Sequence, residues 1–265
     1  IAAHDDLFTR SIIDHNDISD WPIAAVEVVG GGQSTACRDH RPNPSLPFRQ
    51  ENVRVVRNFI HHNQMQEKGY GVVAGKGGYA VVEGNTFVSN RHAIAADGIE
   101  HTRYRAWDNL VLSTVPLQTK GPISWLEQDF DVHGTKTLSF GGIKDISVGY
   151  GGIAGDYFEI ARNTFLGTQS DHNNFKLRGD PCYGVEFHHN ISLEDYAKVN
   201  IPLKGGGYEV LIQGGAIACS YCGAGINKLS VHENQFNAIN PTTHLGVGDF
   251  DGDGIEDVFL ATGAA

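Results

Sequence analysis

The stretch Tyr79–Arg91, YAVVEGNTFVSNR, is the clearest copy of the unit that repeats along this chain. Ala80, Val82 and Phe87 are apolar, and Asn85 stands where their alternation breaks. Aligned on that Asn, related phrases recur at Asn16, Asn58, Asn109, Asn163, Asn190 and Asn234. Self-similarity at intervals of roughly 20–50 residues is typical of a solenoid.

The residues that precede each Asn alternate in polarity. The positions three and five residues earlier are mostly apolar, whereas polar residues such as Arg105, Glu159 and Glu186 stand between them. This alternation predicts a short strand with one buried face. A second strand-like run follows in most units, at 23–28, 70–75, 92–97, 130–135, 175–180 and 197–202. Two or three short strands per coil predict a parallel β-helix, in which the Asn side chains stack at one bend as a structural ladder.

The coil phrase and the Asn ladder resemble the right-handed parallel β-helix proteins of the pectate-lyase-like superfamily, over about residues 10–240. The resemblance implies an all-β fold, a right-handed parallel β-helix solenoid with loop insertions. We expect a β-helix domain at 1–240 and a separate C-terminal segment at 241–265. The superfamily includes polysaccharide lyases, glycoside hydrolases, epimerases and non-enzymatic adhesins or tailspikes, and the fold alone does not choose among them.

Composition narrows the classes of partner. The chain has 265 residues and a formal net charge of −11, which argues against nucleic acids and anionic membranes. A local basic patch would still permit a polyanionic substrate. No apolar stretch approaches the roughly 20 residues needed to span a bilayer. The chain begins with Ile1 and not Met, so we expect a processed or trimmed chain that is secreted or extracellular.

Four cysteines are present, Cys37, Cys182, Cys219 and Cys222. A single Cys-x-x-Cys without a second pair gives weak support for structural zinc. A disulfide between Cys182 and either Cys219 or Cys222 is possible in an exported protein and is favoured over redox catalysis. The sequence does not fix the pairing.

Two similar triplets, His61-His62-Asn63 and His188-His189-Asn190, resemble paired metal ligands. Asn190 belongs to the ladder and Asn63 does not, so we expect the triplets to occupy different places on their coils. Surface or turn histidines are therefore favoured over a shared metal site. His92 aligns with Tyr70, Phe130 and Phe175 in an inward or strand-mouth column, where a packing role is expected.

The second strands carry the candidate chemistry. Aligned on Val72, Ile94, Val132, Leu177 and Val199, their outward-pointing neighbours change from small residues to ionisable ones. The ionisable outward pairs are Asp131/His133, Lys176/Arg178 and Lys198/Asn200. Because adjacent coils stack about 4.8 Å apart, these groups are expected to lie within reach of one another.

This outward patch suggests a site for an acidic sugar. Lys176 and Arg178 would bind a carboxylate or sulfate. His133 is the best-placed group for proton transfer near neutral pH. Asp131 would orient His133, bind a cation, or act as the acid or base of a hydrolase. The alternative is an interlocked surface ion-pair network of Asp131 with Lys176 or Arg178, which would add little stability.

The segment 246–263, GVGDFDGDGIEDVFLATG, stands outside the coil pattern. Its alternating acidic residues predict a calcium loop formed by Asp249, Asp251, Asp253, the Ile255 carbonyl and Asp257. The loop is not an EF-hand, since its twelfth position is Leu260. It resembles the FG-GAP/VCBS calcium loop of extracellular β-propellers, in one copy. We expect the calcium to be structural, and further domains C-terminal to this chain are possible.

Taken together, these features predict a secreted carbohydrate-active enzyme that acts on an acidic polysaccharide by β-elimination. Catalytic roles fall to Lys176, Arg178, His133 and Asp131, and substrate binding to Lys198 and Asn200. A glycoside hydrolase on the same fold and a non-catalytic glycan-binding or adhesin module are the alternatives. Neither nucleic acid nor membrane insertion is expected.

Overall fold

A computed structural model of the chain describes the strands and most of the turns of the solenoid. The described residues are 2–4, 11–31, 36–37, 53–65, 68–112, 128–135, 138–140, 143–146, 149, 151–166, 173–193, 200–202, 208–210, 216–219, 228–236, 243–248 and 257–262. Among them the regular structure is almost entirely β, and no α-helix occurs. No helix long and apolar enough to cross a membrane is found in these ranges.

Three sheets of stacked strands form the body of the molecule. Sheet A contains β1 (Ala2–His4), β4 (Ala24–Val29), β7 (Tyr70–Gly75), β10 (His92–Ala96), β13 (Gln128–Val132), β18 (Asn173–Leu177) and β23 (Ile217–Cys219) in spatial order, followed by β22 (Tyr208–Val210) and β21 (Asn200–Pro202). Sheet B contains β2 (Ser11–Asp14), β5 (Val53–Val56), β8 (Tyr79–Glu83), β11 (Arg103–Trp107), β16 (Tyr157–Ala161), β19 (Gly184–His188) and β24 (Leu229–His232). Sheet C contains β3 (Asp17–Ser19), β6 (Phe59–His61), β9 (Thr86–Val88), β12 (Leu110–Leu112), β17 (Thr164–Phe165) and β20 (Ile191–Ser192).

Each coil contributes one strand to each sheet, and strands of successive coils pair in parallel. Two pairs outside the body are antiparallel hairpins, β14 (Leu138–Phe140) with β15 (Ile143–Ile146) and β25 (Thr243–Gly248) with β26 (Asp257–Thr262). The all-β solenoid of stacked parallel strands is therefore as predicted. The described strands are consistent with the predicted β-helix.

The Asn ladder is confirmed at all seven positions. The side-chain Nδ2 of each ladder Asn but the last, Asn234, donates to the Oδ1 of the Asn in the next coil, with distances from 2.9 to 3.1 Å. The same Oδ1 also accepts the backbone N–H of the preceding ladder Asn. A second Nδ2 proton reaches a carbonyl of the neighbouring coil, as in Asn109 to Val82 at 2.9 Å. The stack therefore satisfies buried backbone groups that a tight bend would leave without partners.

The residue before each ladder Asn has a left-handed backbone. Its φ is between 51° and 65° at His15, Arg57, Gly84, Asp108, Arg162, His189 and Glu233. A single residue in this region followed by an Asn makes the two-residue bend between sheets B and C. Because a non-glycine residue with positive φ is uncommon, the bend is held by the ladder and not by local preference.

Asn63 belongs to a separate, shorter ladder at another bend. Its Nδ2 donates to Asn90 Oδ1 at 2.8 Å, and its own Oδ1 accepts the Trp21 N–H at 2.9 Å. The two His-His-Asn triplets thus lie at different corners, as predicted. The sequence gives no separate sign of this second ladder, which has fewer repeats.

The interior is a continuous apolar column. Phe130 (β13) packs edge-on against Phe165 (β17) with ring centroids 5.0 Å apart, and Phe165 stacks on Phe187 (β19) at 6.0 Å. All three rings are fully buried. Burying one such side chain stabilises the fold by roughly 1.5–3 kcal/mol, so the alternating apolar positions of the sequence account for the core.

Two sequence-based interpretations differ from the structure. The run 197–202 was predicted to be the strand that follows 175–180 in the stack, but β23 pairs in parallel with β18 instead. β21 lies at the far edge of sheet A and pairs antiparallel with β22. The run has the alternation of a strand, and alternation alone does not reveal which neighbour it pairs with.

The disulfide pairing also differs. Cys182 is bonded to Cys37, 145 residues earlier, and not to Cys219 or Cys222. Cys219 is itself disulfide-bonded. Cys37 follows β4 and Cys182 follows β18, four strands further along sheet A, so the bond joins coils that are not neighbours in the stack.

We expect the ladder to contribute more at its centre than at its end. Asn109→Ala should lower the free energy of unfolding by about 3–5 kcal/mol, because at least two buried groups lose a partner at about 1–3 kcal/mol each. Asn16→Ala is the matched control, since Asn16 is exposed and is the first of the seven ladder residues. It should cost on the order of 1 kcal/mol. Urea unfolding followed by circular dichroism measures both free energies of unfolding. Equal losses of stability in the two variants would contradict a larger contribution from the buried ladder amides.

Candidate functional site

The predicted outward patch lies on the outer face of sheet A. Asp131 on β13 pairs with Lys176 on β18, and its other neighbour is Ala95 on β10. In the strand register, Phe130 and Phe175 pair in line with Val72 and Ile94. The sequence alignment predicted Val132 and Leu177 at these positions instead. The register is thus shifted by two residues. A shift of two keeps every side chain on its predicted face, because strands have a period of two.

This part of the face is buried. Asp131 has no exposed surface, and the Arg178 side chain is 8% exposed. His133 retains 29% of its side-chain surface, and Lys176 is half-buried. The patch was predicted from alternation as an exposed surface, but it is a covered polar cluster with one partly open edge at His133.

A two-pronged ion pair forms the centre of this cluster. Arg178 Nε donates to Asp131 Oδ1 at 2.7 Å, and Arg178 Nη2 donates to Oδ2 at 2.7 Å. The same Nη2 donates to the side-chain oxygen of Gln128 at 2.8 Å. Such bidentate geometry is the strongest form of arginine–carboxylate contact. The guanidinium is therefore committed to Asp131 and Gln128 inside the protein.

Asp131 also holds His133. The Nε2 of His133 lies 2.8 Å from Asp131 Oδ2, so this nitrogen carries a proton and donates it to the carboxylate. Gly149 lies beside Nδ1, and a Cβ at that position would be 2.3 Å away from it. Its φ of 62° also favours glycine. Glycine at 149 therefore packs closely beside Nδ1, where a side chain would collide with the ring; Nδ1 is the ring nitrogen that Asp131 does not bind.

His92 closes the cluster on the other side of Asp131. It pairs with Tyr70 in the register, as predicted, and its ring is fully buried. Its Nδ1 lies 2.7 Å from the Gln128 carbonyl oxygen, which can only accept a hydrogen bond, so Nδ1 carries the proton. Its Nε2 has no hydrogen-bond partner and lies 3.7 Å from Asp131 Oδ2. His92 is thus a neutral imidazole with a lone pair directed toward a carboxylate.

The charges of the cluster follow from these contacts. Burial by itself would raise the pKa of Asp131, but the Arg178 guanidinium and then His133 lower it well below its usual range. Burial lowers the pKa of His92 to about 3, although Asp131 acts in the opposite direction. At neutral pH Asp131 is therefore an ionised carboxylate and His92 is uncharged. The same carboxylate adds to the effect of burial in raising the pKa of Tyr104.

This arrangement can support general acid–base chemistry at His133. An imidazole held at one nitrogen by a buried carboxylate has a fixed tautomer and orientation, and its second nitrogen is available for a proton. Lys176 lies opposite Asp131 on the adjacent strand, so it adds a cationic side chain to the same face of sheet A. The pattern is a proton-transfer group, an orienting carboxylate and a neighbouring cation.

Sequence reasoning brought Asp131, His133, Lys176 and Arg178 together, and the structure places them on one face. It missed Gln128, His92 and Gly149 as members of the cluster. Gln128 stands at the start of β13, outside the outward pairs, and His92 was expected to have only a packing role in an inward column. The Gly-Tyr-Gly-Gly run at 149–152 was the available signal for Gly149, because such runs mark places where side chains do not fit.

The other predicted site residues are not tested by these contacts. Lys198 lies outside the described residues. Asn200 is the first residue of β21, away from the position predicted for it in the stack. In the calcium segment, Asp249, Asp251, Asp253 and Ile255 also lie outside the described residues. Asp257 begins β26 and pairs with Gly248.

The buried neutral state of His92 predicts a pH dependence of stability. Its pKa is lower in the folded chain than the roughly 6.5 of an unfolded histidine, so the unfolded state binds more protons between these values. Stability should therefore fall as pH drops from about 6.5, by up to about 1.4 kcal/mol per pH unit. His92→Asn, which can still donate to the Gln128 carbonyl, should remove this slope.

Urea unfolding at several pH values between about 4.5 and 6.5 measures how the free energy of unfolding changes with pH. This pH range lies above the one in which protonation of Asp131 contributes. The lowered pKa of Asp131 adds stability above the unfolded value of about 3.9 that is lost only at lower pH. His15→Asn, at an exposed histidine, is the control and should leave the slope unchanged. An unchanged slope in His92→Asn would contradict the assignment of a buried neutral imidazole.

Comparison with known proteins does not assign the chain to a family. No family model matches the sequence, and neither a curated protein nor a solved structure matches it. The proposals below rest on the residues and contacts described above.

Proposed function

We propose that this chain is a secreted carbohydrate-active enzyme that cleaves an acidic polysaccharide by β-elimination on the outer face of sheet A. The observation that carries the proposal is the dyad of buried Asp131 and partly exposed His133, joined at 2.8 Å. In this reading the fold is a right-handed β-helix of the pectate-lyase-like kind. The Cys37–Cys182 disulfide supports an extracellular location, since disulfides persist in oxidising compartments.

The residues of the neighbouring coils argue that the cluster is functional. The column that contains Asp131 and Lys176 is occupied by Val73, Ala95 and Ala218 in three of the other coils and by the exposed Glu27 in a fourth. The stack therefore does not need polar groups at this position. A buried ion pair is weak support for stability, because desolvation offsets much of its attraction. Function accounts better than stability for the charges in this column.

In the proposed reaction His133 Nδ1 accepts the proton on the carbon α to a sugar carboxylate. Lys176 neutralises that carboxylate, which acidifies the carbon. The electron pair of the C–H bond forms a C=C bond as the glycosidic C–O bond breaks, and the leaving oxygen takes a proton. Asp131 stabilises the imidazolium that forms, as the orienting carboxylate of a catalytic triad does. Arg178 positions Asp131 and does not contact substrate.

The geometry favours elimination over hydrolysis at this face. Both oxygens of Asp131 are occupied, by Arg178 and by His133. A glycosidase needs two carboxyl groups that are free to act as acid, base or nucleophile. Asp129, the nearest other carboxyl on β13, is buried and accepts a hydrogen bond from Asn174 at 3.1 Å. A non-catalytic glycan-binding module remains the competing class.

Substitution of His133 tests the proposal. His133→Gln should lower the turnover of an acidic polysaccharide by about 10²–10⁴-fold, the usual contribution of a general base. Lys176→Gln should also lower turnover, with an effect on KM because substrate binding weakens. His61→Gln is the matched control, because His61 Nε2 contacts Asp17 at 2.7 Å on sheet C.

Turnover is followed by the appearance of unsaturated sugar ends, and folding by the melting temperature. Arg178→Ala is a poor probe, because it would leave Asp131 buried without its cation at a cost of about 3–5 kcal/mol. Full turnover in folded His133→Gln would refute the assigned base. Binding of polysaccharide without turnover in the wild type would favour the glycan-binding module.

We also propose that the segment 249–257 binds calcium. The antiparallel pairing of β25 with β26 sets Gly248 opposite Asp257, so the two ends of this acidic segment are held together. Asp249, Asp251, Asp253, the Ile255 carbonyl and Asp257 form the oxygen-rich donor set that calcium prefers. The ion would neutralise carboxylates that otherwise repel one another and so stabilise the hairpin.

Removal of calcium should therefore lower the melting temperature and leave turnover at lower temperature unchanged. Chelation followed by calorimetry measures the first effect, and the polysaccharide assay measures the second. Asp251→Asn with Asp253→Asn should reproduce the change in melting temperature. Turnover lost at an unchanged melting temperature would place the ion in the mechanism instead.

A further inference from the structure

A second cluster of ionisable side chains lies on the outer face of sheet B. Glu159 on β16 pairs with Glu186 on β19, and His188 lies two residues further along β19. Their ligand atoms all lie within 4.8 Å of one another. The side chains of Glu159 and His188 are 17% and 15% exposed. None of the three belongs to the ladder, to the core or to the cluster around Asp131.

We propose that Glu159, Glu186 and His188 bind a divalent transition-metal cation such as Zn²⁺. Two carboxylates and one imidazole form a donor set that suits Zn²⁺, which accepts both nitrogen and oxygen ligands. Calcium and magnesium, which prefer oxygen ligands alone, fit this set less well. The site does not depend on the function proposed for sheet A.

Each of the three ligands has a neighbour that orients it, and for Glu159 and His188 this neighbour uses a different atom from the one offered to the metal. Arg105 Nε lies 3.1 Å from Glu159 Oε2, which leaves Oε1 facing His188 Nε2 at 3.5 Å. His188 Nδ1 contacts His189 Nδ1 at 2.8 Å, so its Nε2 is the nitrogen directed at the carboxylates. The Tyr157 hydroxyl hydrogen-bonds to Glu186. Such outer partners are the usual support of metal ligands.

The imidazole ligand is also fixed by packing. The ring of His188 stacks on that of His232 in the next coil, with centroids 5.1 Å apart and planes 2° from parallel. A ligand whose rotamer is already set loses little entropy when it binds an ion. The stacked coils therefore hold the site in place before the metal arrives.

The charge at this position is suited to a cation. The two carboxylates face the guanidinium of Arg105, and Arg162, which also interacts with Glu159, is paired with Asp108. A dication would be attracted by this negative field. Three protein ligands leave one position of a zinc tetrahedron for water or an exchangeable ligand.

Calorimetric titration of the full chain with Zn²⁺ tests the proposal. The protein is first freed of metal with a chelator and then saturated with Ca²⁺, so that the acidic segment near the C-terminus does not contribute. We expect one saturable site. Glu159→Gln, Glu186→Gln and His188→Gln should each raise Kd by about 100-fold or more, because loss of an outer partner alone costs 10–100-fold. Tyr157→Phe should raise it by about tenfold.

Two controls separate this site from adventitious binding. Glu83→Gln removes a carboxylate on the same sheet that is paired with Arg54, and it should leave Kd unchanged. His15→Gln removes an exposed histidine that lies beside the carboxylate of Asp14, away from the site, and it should leave both Kd and the stoichiometry unchanged. Circular dichroism checks that every variant is folded. Absence of saturable binding, or binding that persists in both Glu159→Gln and Glu186→Gln, would overturn the proposal.

Discussion

The structure depends on the hydrogen bond from one ladder asparagine to the next. At the centre of the ladder, Asn109 Oδ1 accepts hydrogen bonds from the backbone N–H and the Nδ2 of Asn85. Asn109 Nδ2 in turn donates to the carbonyl oxygen of Val82 on the adjacent strand. All of these groups are buried at the centre of the stack, where an unpaired polar group is costly. Any slip of one coil against the next would break several such bonds at once. The ladder therefore fixes the register of the sheets on both sides of the bend.

Because the register is fixed, residues from different coils can form a defined chemical site on the surface of the solenoid. Residues on strands far apart in sequence, such as Asp131 and Lys176, become neighbours one strand spacing apart. The same holds for Glu159 and Glu186 on sheet B. In most coils the outer positions of sheet A are small or apolar. Substituting a few of them with charged residues creates a site without altering the fold, because each coil contacts mainly its neighbours.

The two clusters use this arrangement differently. Around Asp131 the charges are covered, so the ion pair with Arg178 sets the protonation of the carboxylate and fixes His133. Around Glu159 the ligands are less completely covered and carry more negative than positive charge. A covered dyad is suited to moving a proton, whereas a partly open group of carboxylates and imidazole is suited to holding a cation.

Much of this could be predicted from the sequence, because the repeat is explicit. The seven ladder positions, the strands before them and the residues that share the outer face of sheet A all follow from one phrase and its alternation. What the sequence did not predict depends on contacts between coils. Four features can be predicted only if one knows which strands stack and what covers them. They are the two-residue shift at Phe130, the edge position of Asn200, the Cys37–Cys182 bond and the burial of Asp131. The alternation identifies Glu159 and Glu186 as outward residues. Their closeness to His188 depends on side-chain conformations, which the alternation does not predict.

The central claim is that the outer face of sheet A breaks a sugar chain by proton abstraction. Mass spectrometry of the products from a panel of acidic polysaccharides tests it most directly. Elimination yields fragments that together lack the one water that hydrolysis would add, with a C=C bond at the new non-reducing end. The account predicts such unsaturated fragments from at least one acidic polysaccharide and their loss in His133→Gln. Saturated fragments that have gained water, or intact polysaccharide after prolonged incubation across the whole panel, would contradict it.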